Sequence, residues 1–308
     1  MERVFSWLNQ PLFPESAIRI WMGITGALLL LALMLALLLA RRKKKRVRHD
    51  VQEEAPRTER PRPLPVLELA NLQGMGSREE QQDSFRISRL DRYEEDGLLA
   101  VLCDGMGGMA EGGMIAADTS SGLLGAFPWE DDGDVLDWIR RRSGKVYQQF
   151  RGHGGTTLVA ALLRKNALSF WCVGDSDLFL LRGGSLYALN LRQEYKNELV
   201  LRALEGAFPV GDAFADAQAG ALSEYMGKED VRCDYTRIPF LLRREDTLLL
   251  CSDGVSDTLT LRQIREAMAL PPQACCDRLE GEILAAEKAN QDNYTAIVLK
   301  YHGKGEEE

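Results

Sequence analysis

Histidine is scarce in this chain: 308 residues hold only His49, His153 and His302. Cysteine is sparse too. Six in this length are too few for a disulfide framework, and no C-x-x-C pair occurs, which argues against a thiolate zinc site. No internal repeat is evident. The glycine-rich stretch GMGGMAEGG (105–113) lacks the G-K-[ST] ending of a nucleotide-binding loop, so its glycines read as turn residues. Basic residues are outnumbered, 38 Lys+Arg against 46 Asp+Glu, for a net charge of −8, and no nucleic-acid partner is expected. Hydrophobic residues at 45% exclude a wholly disordered chain.

The charge is divided unevenly. Residues 1–66 hold 12 basic and 6 acidic side chains, and residues 67–308 hold 26 and 40, so the two parts carry +6 and −14. The basic part contains an uncharged, Leu-dominated run at 20–40, followed at once by seven cations in RRKKKRVR (41–48). As a helix, such a run spans the ~30 Å hydrocarbon core of a bilayer. It is too long for a signal-peptide core, its charge lies on the wrong side, and no A-x-A site follows. The run is expected to be a single-pass anchor in the cell membrane. The cations after it place the C-terminal part in the cytoplasm and residues 1–19 outside, and they meet anionic headgroups. Residues 49–66 hold four Pro among charged residues and read as the end of a linker covering 41–66. One folded domain is expected over 67–302, with an acidic tail at 303–308.

Within that domain, GLLAVLCD (97–104), LSFWCVGD (168–175), LFLLRGG (178–184), TLLLCSD (247–253) and YTAIVLKY (294–301) read as buried strands. Helices are expected at 111–127, 135–150, 158–163, 261–270 and 272–289. Strands in groups, without strict alternation with helices, favour an α+β fold over a doubly wound sheet. Cys103, Cys172 and Cys251 fall inside predicted strands, as small apolar residues in a reduced compartment.

Carboxylates recur where strands end: Asp104-Gly105, Asp175 and Asp253-Gly254, with Asp292-Asn293 just before the last strand and Asp83 in REEQQDSF. One Asp-Gly alone is a common turn. Several converging carboxylates repel one another unless a hard divalent cation lies among them.

The ordered set GMGSREEQQDSF (74–85), AVLCDGMGGMAEGG (100–113), GGTT (154–157), CVGDSD (172–177), ALSEYMG (221–227), LLCSDGVSD (249–257) and QDNYTAIVL (291–299) resembles the metal-dependent type 2C serine/threonine protein phosphatases, in their bacterial form. The resemblance runs from about Leu67 to Tyr301. It implies a central β-sandwich of two antiparallel sheets flanked by α-helices, in four αββα layers. It also implies two Mn²⁺ or Mg²⁺ ions held by Asp83, Asp104, the Gly105 carbonyl, Asp253 and Asp292. Gln82 and Asn293 are implied as supporting residues. Arg78 matches the Arg that grips substrate phosphate, a task suited to a forked guanidinium. Asp175 and Asp257 match positions that hold a third ion in some members, and Gly227 a backbone position near it. Residues 190–227 match a variable flap.

The implied reaction is hydrolysis of phosphoserine or phosphothreonine by a water that the two ions activate, with Asp104 and Arg78 as the catalytic pair. The implied partners are phosphorylated proteins, among them targets of a cognate serine/threonine kinase. No Cys lies in a phosphate-cradling loop, against a Cys-based tyrosine phosphatase. Three positions depart from commoner patterns: Gln82 for Glu, Met106 for the His of animal members, and Asp177 for the Arg after GDS, which leaves a charge pair unexplained. Gln82 and Asp177 are the only support for the alternative, a phosphatase fold kept as a non-catalytic regulator.

Overall fold

The computed structural model describes residue 34 and residues 66–303, apart from 107–110, 130 and 132. The expected membrane helix (Met34 aside), the linker up to residue 65 and the tail beyond 303 lie outside the described residues. Among the described residues no helix is long and apolar enough to cross a membrane. The chain divides into Met1–Pro63 and Leu64–Glu308, and the second of these is the folded domain.

Eleven strands are described. They are β1 Leu67–Gly74, β2 Asp83–Ile87, β3 Leu98–Asp104, β4 Leu158–Arg164, β5 Ala167–Val173, β6 Asp177–Arg182, β7 Ser185–Ala188, β8 Asp234–Tyr235, β9 Phe240–Leu241, β10 Asp246–Cys251 and β11 Tyr294–Tyr301. One sheet runs β1-β11-β10-β6-β7 and the other β2-β3-β4-β5-β8, with β9 also on β5; every pairing is antiparallel. The main helices are α1 Gly112–Ala126, α2 Gly133–Phe150, α3 Tyr195–Leu204, α4 Val210–Ala215, α5 Leu261–Met268 and α6 Pro272–Ala285.

Alternation along β3 explains why its sequence is apolar throughout. Leu98, Ala100 and Leu102 enter the core between the sheets, with Leu180, Leu250 and Ile297 of the other sheet. Leu99, Val101 and Cys103 face the opposite way, onto Leu123 of α1 and Ile139 of α2. The second sheet does the same, with Leu249, Cys251 and Val298 packed on Ile264 of α5 and Leu279 of α6. A strand buried on both faces has no polar alternation to show. The result is the expected αββα arrangement.

That burial also corrects one expectation. Residues 158–163, expected as a helix, form β4, paired with β3 on one side and β5 on the other. LVAALL is apolar at every position, so its periodicity does not separate helix from strand. The β4–β5 turn at Lys165-Asn166 keeps it short and places it in the sheet.

Candidate metal and active centre

Both sheets deliver carboxylates to the same end of the sandwich. Asp83 opens β2 and Asp104 closes β3, and the register sets them directly opposite each other. Asp253 follows β10 at the start of a helical turn, Asp253–Ser256, and Asp292 stands two residues before β11. Asp104, Gly105, Asp175, Asp253 and Asp292 line one polar cavity of about 230 Å³ together with Arg78, Met106, Thr157 and Leu222. A larger cavity of about 450 Å³, near Ile87 and Phe127, lies away from these carboxylates. Its Arg89 and Arg92 are already paired with Asp91 and Asp96.

Hydrogen bonds lock this end. The Ser252 hydroxyl donates to Asp83 Oδ2 at 2.8 Å and accepts the Thr295 amide at 2.9 Å, so one side chain ties the two sheets. The Thr157 hydroxyl accepts the Asp104 amide at 2.9 Å, and the Asp104 carbonyl accepts from the Thr156 hydroxyl at 2.7 Å and the Thr157 amide at 2.8 Å. Gln82 and Asn293 form a strut: the Gln82 amide donates to Asn293 Oδ1 at 2.8 Å, and the Gln82 carbonyl accepts from the Gly105 amide at 3.1 Å. The Gln82 contribution is thus made through its backbone.

Two glycines are required by close approach. A Cβ on Gly105 would lie 2.5 Å from the Gly112 carbonyl carbon and 2.7 Å from the Gln82 oxygen, and one on Gly254 would lie 1.9 Å from the Asn293 oxygen. Each lets the loop beside its Asp press against the neighbouring backbone.

Electrostatics make the cluster unfavourable as bare anions. Burial, then the charges of Asp83 and Asp253, holds the Asp104 carboxyl well above the usual carboxylate range. Burial pushes Asp83 up to about 6, and burial followed by the charge of Asp253 pushes Asp175 up to about 7. Asp253 is raised by burial, then by Asp257 and Asp292. Asp83 Oδ1 is buried with no hydrogen-bond partner. Among the described residues no three His, Cys, Asp or Glu side chains stand close enough together to hold a metal ion as they are placed. Even so, the donor set is all oxygen, crowded, anionic and partly orphaned, which fits a hard divalent cation.

Arg78 donates to Asp292 Oδ2 at 2.7 Å, with both side chains about half exposed. An exposed pair of this kind is worth ~0–1 kcal/mol, so Asp292 does not hold Arg78 against a competing phosphate.

The third-ion positions separate. Asp175 lines the cavity, whereas Asp257 is engaged by Arg192 at 2.6 Å. Gly227 packs instead against Gly154, and its amide donates to the Ser143 hydroxyl at 3.0 Å. His153 is exposed, and His302 is buried between Glu245 and Glu68 at the end of β11.

Ser252, Thr156, Thr157, Leu222 and Arg192 belong to the site without having been expected there. The first three stand inside the quoted SDG and GGTT motifs, but their work is hydrogen bonding to groups distant in sequence. No pattern in the sequence marks Arg192.

No protein-family model matches the chain. It is 30% identical over 226 residues, 69% of its length, to the serine/threonine protein phosphatase PstP of Mycobacterium tuberculosis, and spans 42% of that relative's length. It is 29% identical over 250 residues, 76% of its length, to the protein phosphatase PhpP of Streptococcus pneumoniae, spanning 97% of that relative. The crystal structure of the catalytic domain of PstP in complex with two manganese ions superposes with a TM-score of 0.59 at 25% identity, covering 76% of this chain and 98% of that one.

Proposed function

We infer that this chain is a serine/threonine protein phosphatase of the bacterial type 2C group, dependent on divalent metal, and that it hydrolyses phosphoserine and phosphothreonine esters on proteins. The observation that carries this reading is the meeting of Asp104, with Asp83 opposite it in the register, and Asp253 and Asp292 from the other sheet's end, in a cavity that Arg78 also lines. Asp83, Asp104, the Gly105 carbonyl, Asp253 and Asp292 would hold two Mn²⁺ or Mg²⁺ ions. Such a pair supplies Lewis-acid charge and a strongly nucleophilic water at neutral pH.

The chain's own residues do the rest. Arg78 exchanges Asp292 for two phosphate oxygens and orients the ester over the carboxylates. Ser252 holds the Asp83 carboxylate and Thr156 and Thr157 hold the Asp104 backbone, so little reorganisation accompanies the reaction. Met106 and Leu222 line the cavity with apolar surface and offer no proton. A phosphothreonine peptide incubated with Mn²⁺ should release inorganic phosphate, and excess EDTA should stop it. Phosphate release that is indifferent to EDTA would sink this reading.

Residues 20–40 are proposed to anchor the enzyme in the membrane, with the domain on the cytoplasmic side beside kinase substrates. The motivating observation is the uncharged 21-residue run followed by seven cations. The full chain should sediment with membranes and resist extraction by carbonate. A chain lacking residues 1–48 should be soluble and keep its turnover on peptides. Recovery of the full chain in the supernatant would refute the anchor.

A further inference from the structure

Arg192 is the best-connected side chain near the carboxylate end. Its guanidinium donates to Asp177 through Nε at 3.1 Å and Nη2 at 2.7 Å, to the Ser256 hydroxyl at 2.6 Å and to Asp257 Oδ1 at 2.6 Å. Glu194 lies 3.5 Å from its Nη1. Asp177 is buried, so it requires this cation. The charge pair left open by Asp177 is thereby closed. The carboxylate sits after GDS, and the cation comes from the start of the 190–227 segment.

The same residue sits at the root of that segment. The Arg192 carbonyl accepts from Asn197 Nδ2 at 2.7 Å, which ties the first turn of α3 back to the chain before it. The next residue, Gln193, exchanges hydrogen bonds with Gly174, the neighbour of Asp175, through its own amide and its Oε1. Glu194 bridges to Leu222, and Leu222 lines the cavity. A continuous path therefore runs from Asp257 through Arg192 to the wall of the site.

We propose that Arg192, anchored by buried Asp177 and by Ser256, is a resident cation whose fixed charge beside Asp257 opposes a third metal ion there, leaves the centre with two ions instead of three, and fastens the root of the 190–227 segment beside the site. It acts as a positioning residue. The inference rests on the two-metal reading above and adds what this chain does at the third position. A guanidinium suits the task because its rigid fork reaches several acceptors at once, whereas an ammonium is a single point.

Calorimetric titration of the full chain with MnCl₂ should give two sites, and Asp257→Asn should give the same two, because Arg192 already supplies the cation beside Asp257. A third site in the wild type that vanishes in Asp257→Asn overturns the proposal. The second measurement is amide hydrogen exchange, which needs no metal. Arg192→Lys keeps a charge beside buried Asp177, so the domain should fold, but it loses the fork. Exchange at 193–204 and 221–227 should become at least about tenfold faster, with β3 and β11 unchanged. Unchanged exchange in those segments overturns the fastening role. A wild type that binds no Mn²⁺ refutes the two-metal reading itself, and the exchange result still decides the role of Arg192.

Discussion

Replacing Asp104 by Asn is expected to abolish turnover and, at the same time, to make the metal-free domain harder to unfold. The two effects have opposite signs because one group causes both. Asp104 stands opposite Asp83 in the register and lines the cavity with Asp253, which follows β10 of the other sheet, so it lies between carboxylates from both sheets. Losing its charge would remove one of the carboxylates proposed to hold the metal ions. Loss of a single preorganised electrostatic group costs on the order of 10³-fold in rate, or ~4 kcal/mol of barrier. Without metal the same charge is a burden, since burial and the charges of Asp83 and Asp253 hold Asp104 well above its usual range. Asn has nearly the same shape and carries no charge to desolvate. Its backbone bonds to Thr156 and Thr157 are unaffected, so the strand end stays in place. The checks are steady-state kinetics with a phosphothreonine peptide in Mn²⁺ and thermal unfolding in EDTA. An inactive variant that is also less stable in EDTA would mean that Asp104 is chiefly a structural residue.

Much of this site is legible in the sequence because its carboxylate positions are local events. An apolar run ends at Asp, a glycine follows, and the chain turns; Asp104-Gly105 and Asp253-Gly254 show this without any knowledge of the fold. The two-sheet architecture is legible for a related reason. Strands such as LLAVLC and TLLLC are apolar on both faces only if each sheet is covered on both sides. The same property hides β4, since LVAALL buried on two faces carries no period to read. β1 and β2 escape notice because LELANLQG and DSFRI are short or mixed in polarity, and pairing with β11 and β3 is what makes them strands. The helices α3 and α4 lie in a segment read only as a flap, where exposed Leu201, Leu204 and Phe214 blur any amphipathic pattern. Arg192 is hardest of all. An Arg in LRQEY has no local signature, and its meaning lies in Asp177 and Asp257, 15 and 65 residues away.

Metal should stabilise the domain, and more so at pH 7.5 than at pH 5.5. Asp83 at about 6 and Asp175 at about 7 lie above the ordinary carboxylate value near ~4. A carboxyl raised on folding binds its proton more tightly in the native state than in the unfolded one. Its stabilising contribution is therefore complete below ~4 and is lost as pH climbs through 6 and 7. In EDTA the melting temperature should thus fall between pH 5.5 and 7.5. Mn²⁺ binds the ionised carboxylates, so protons compete with it at pH 5.5 and much less at pH 7.5. At a hundredfold excess over Kd the metal adds ~2.7 kcal/mol, which for a domain of this size raises the melting temperature by roughly 5–10 °C. Asp104→Asn serves as the control, because removing one charge from the cluster should flatten both the pH dependence and the response to Mn²⁺. Scanning calorimetry at the two pH values, with EDTA or Mn²⁺, tests each part. A metal-free melting temperature that rises toward pH 7.5, or an Mn²⁺ increment equal at both pH values, would place the acidic cluster outside any metal centre.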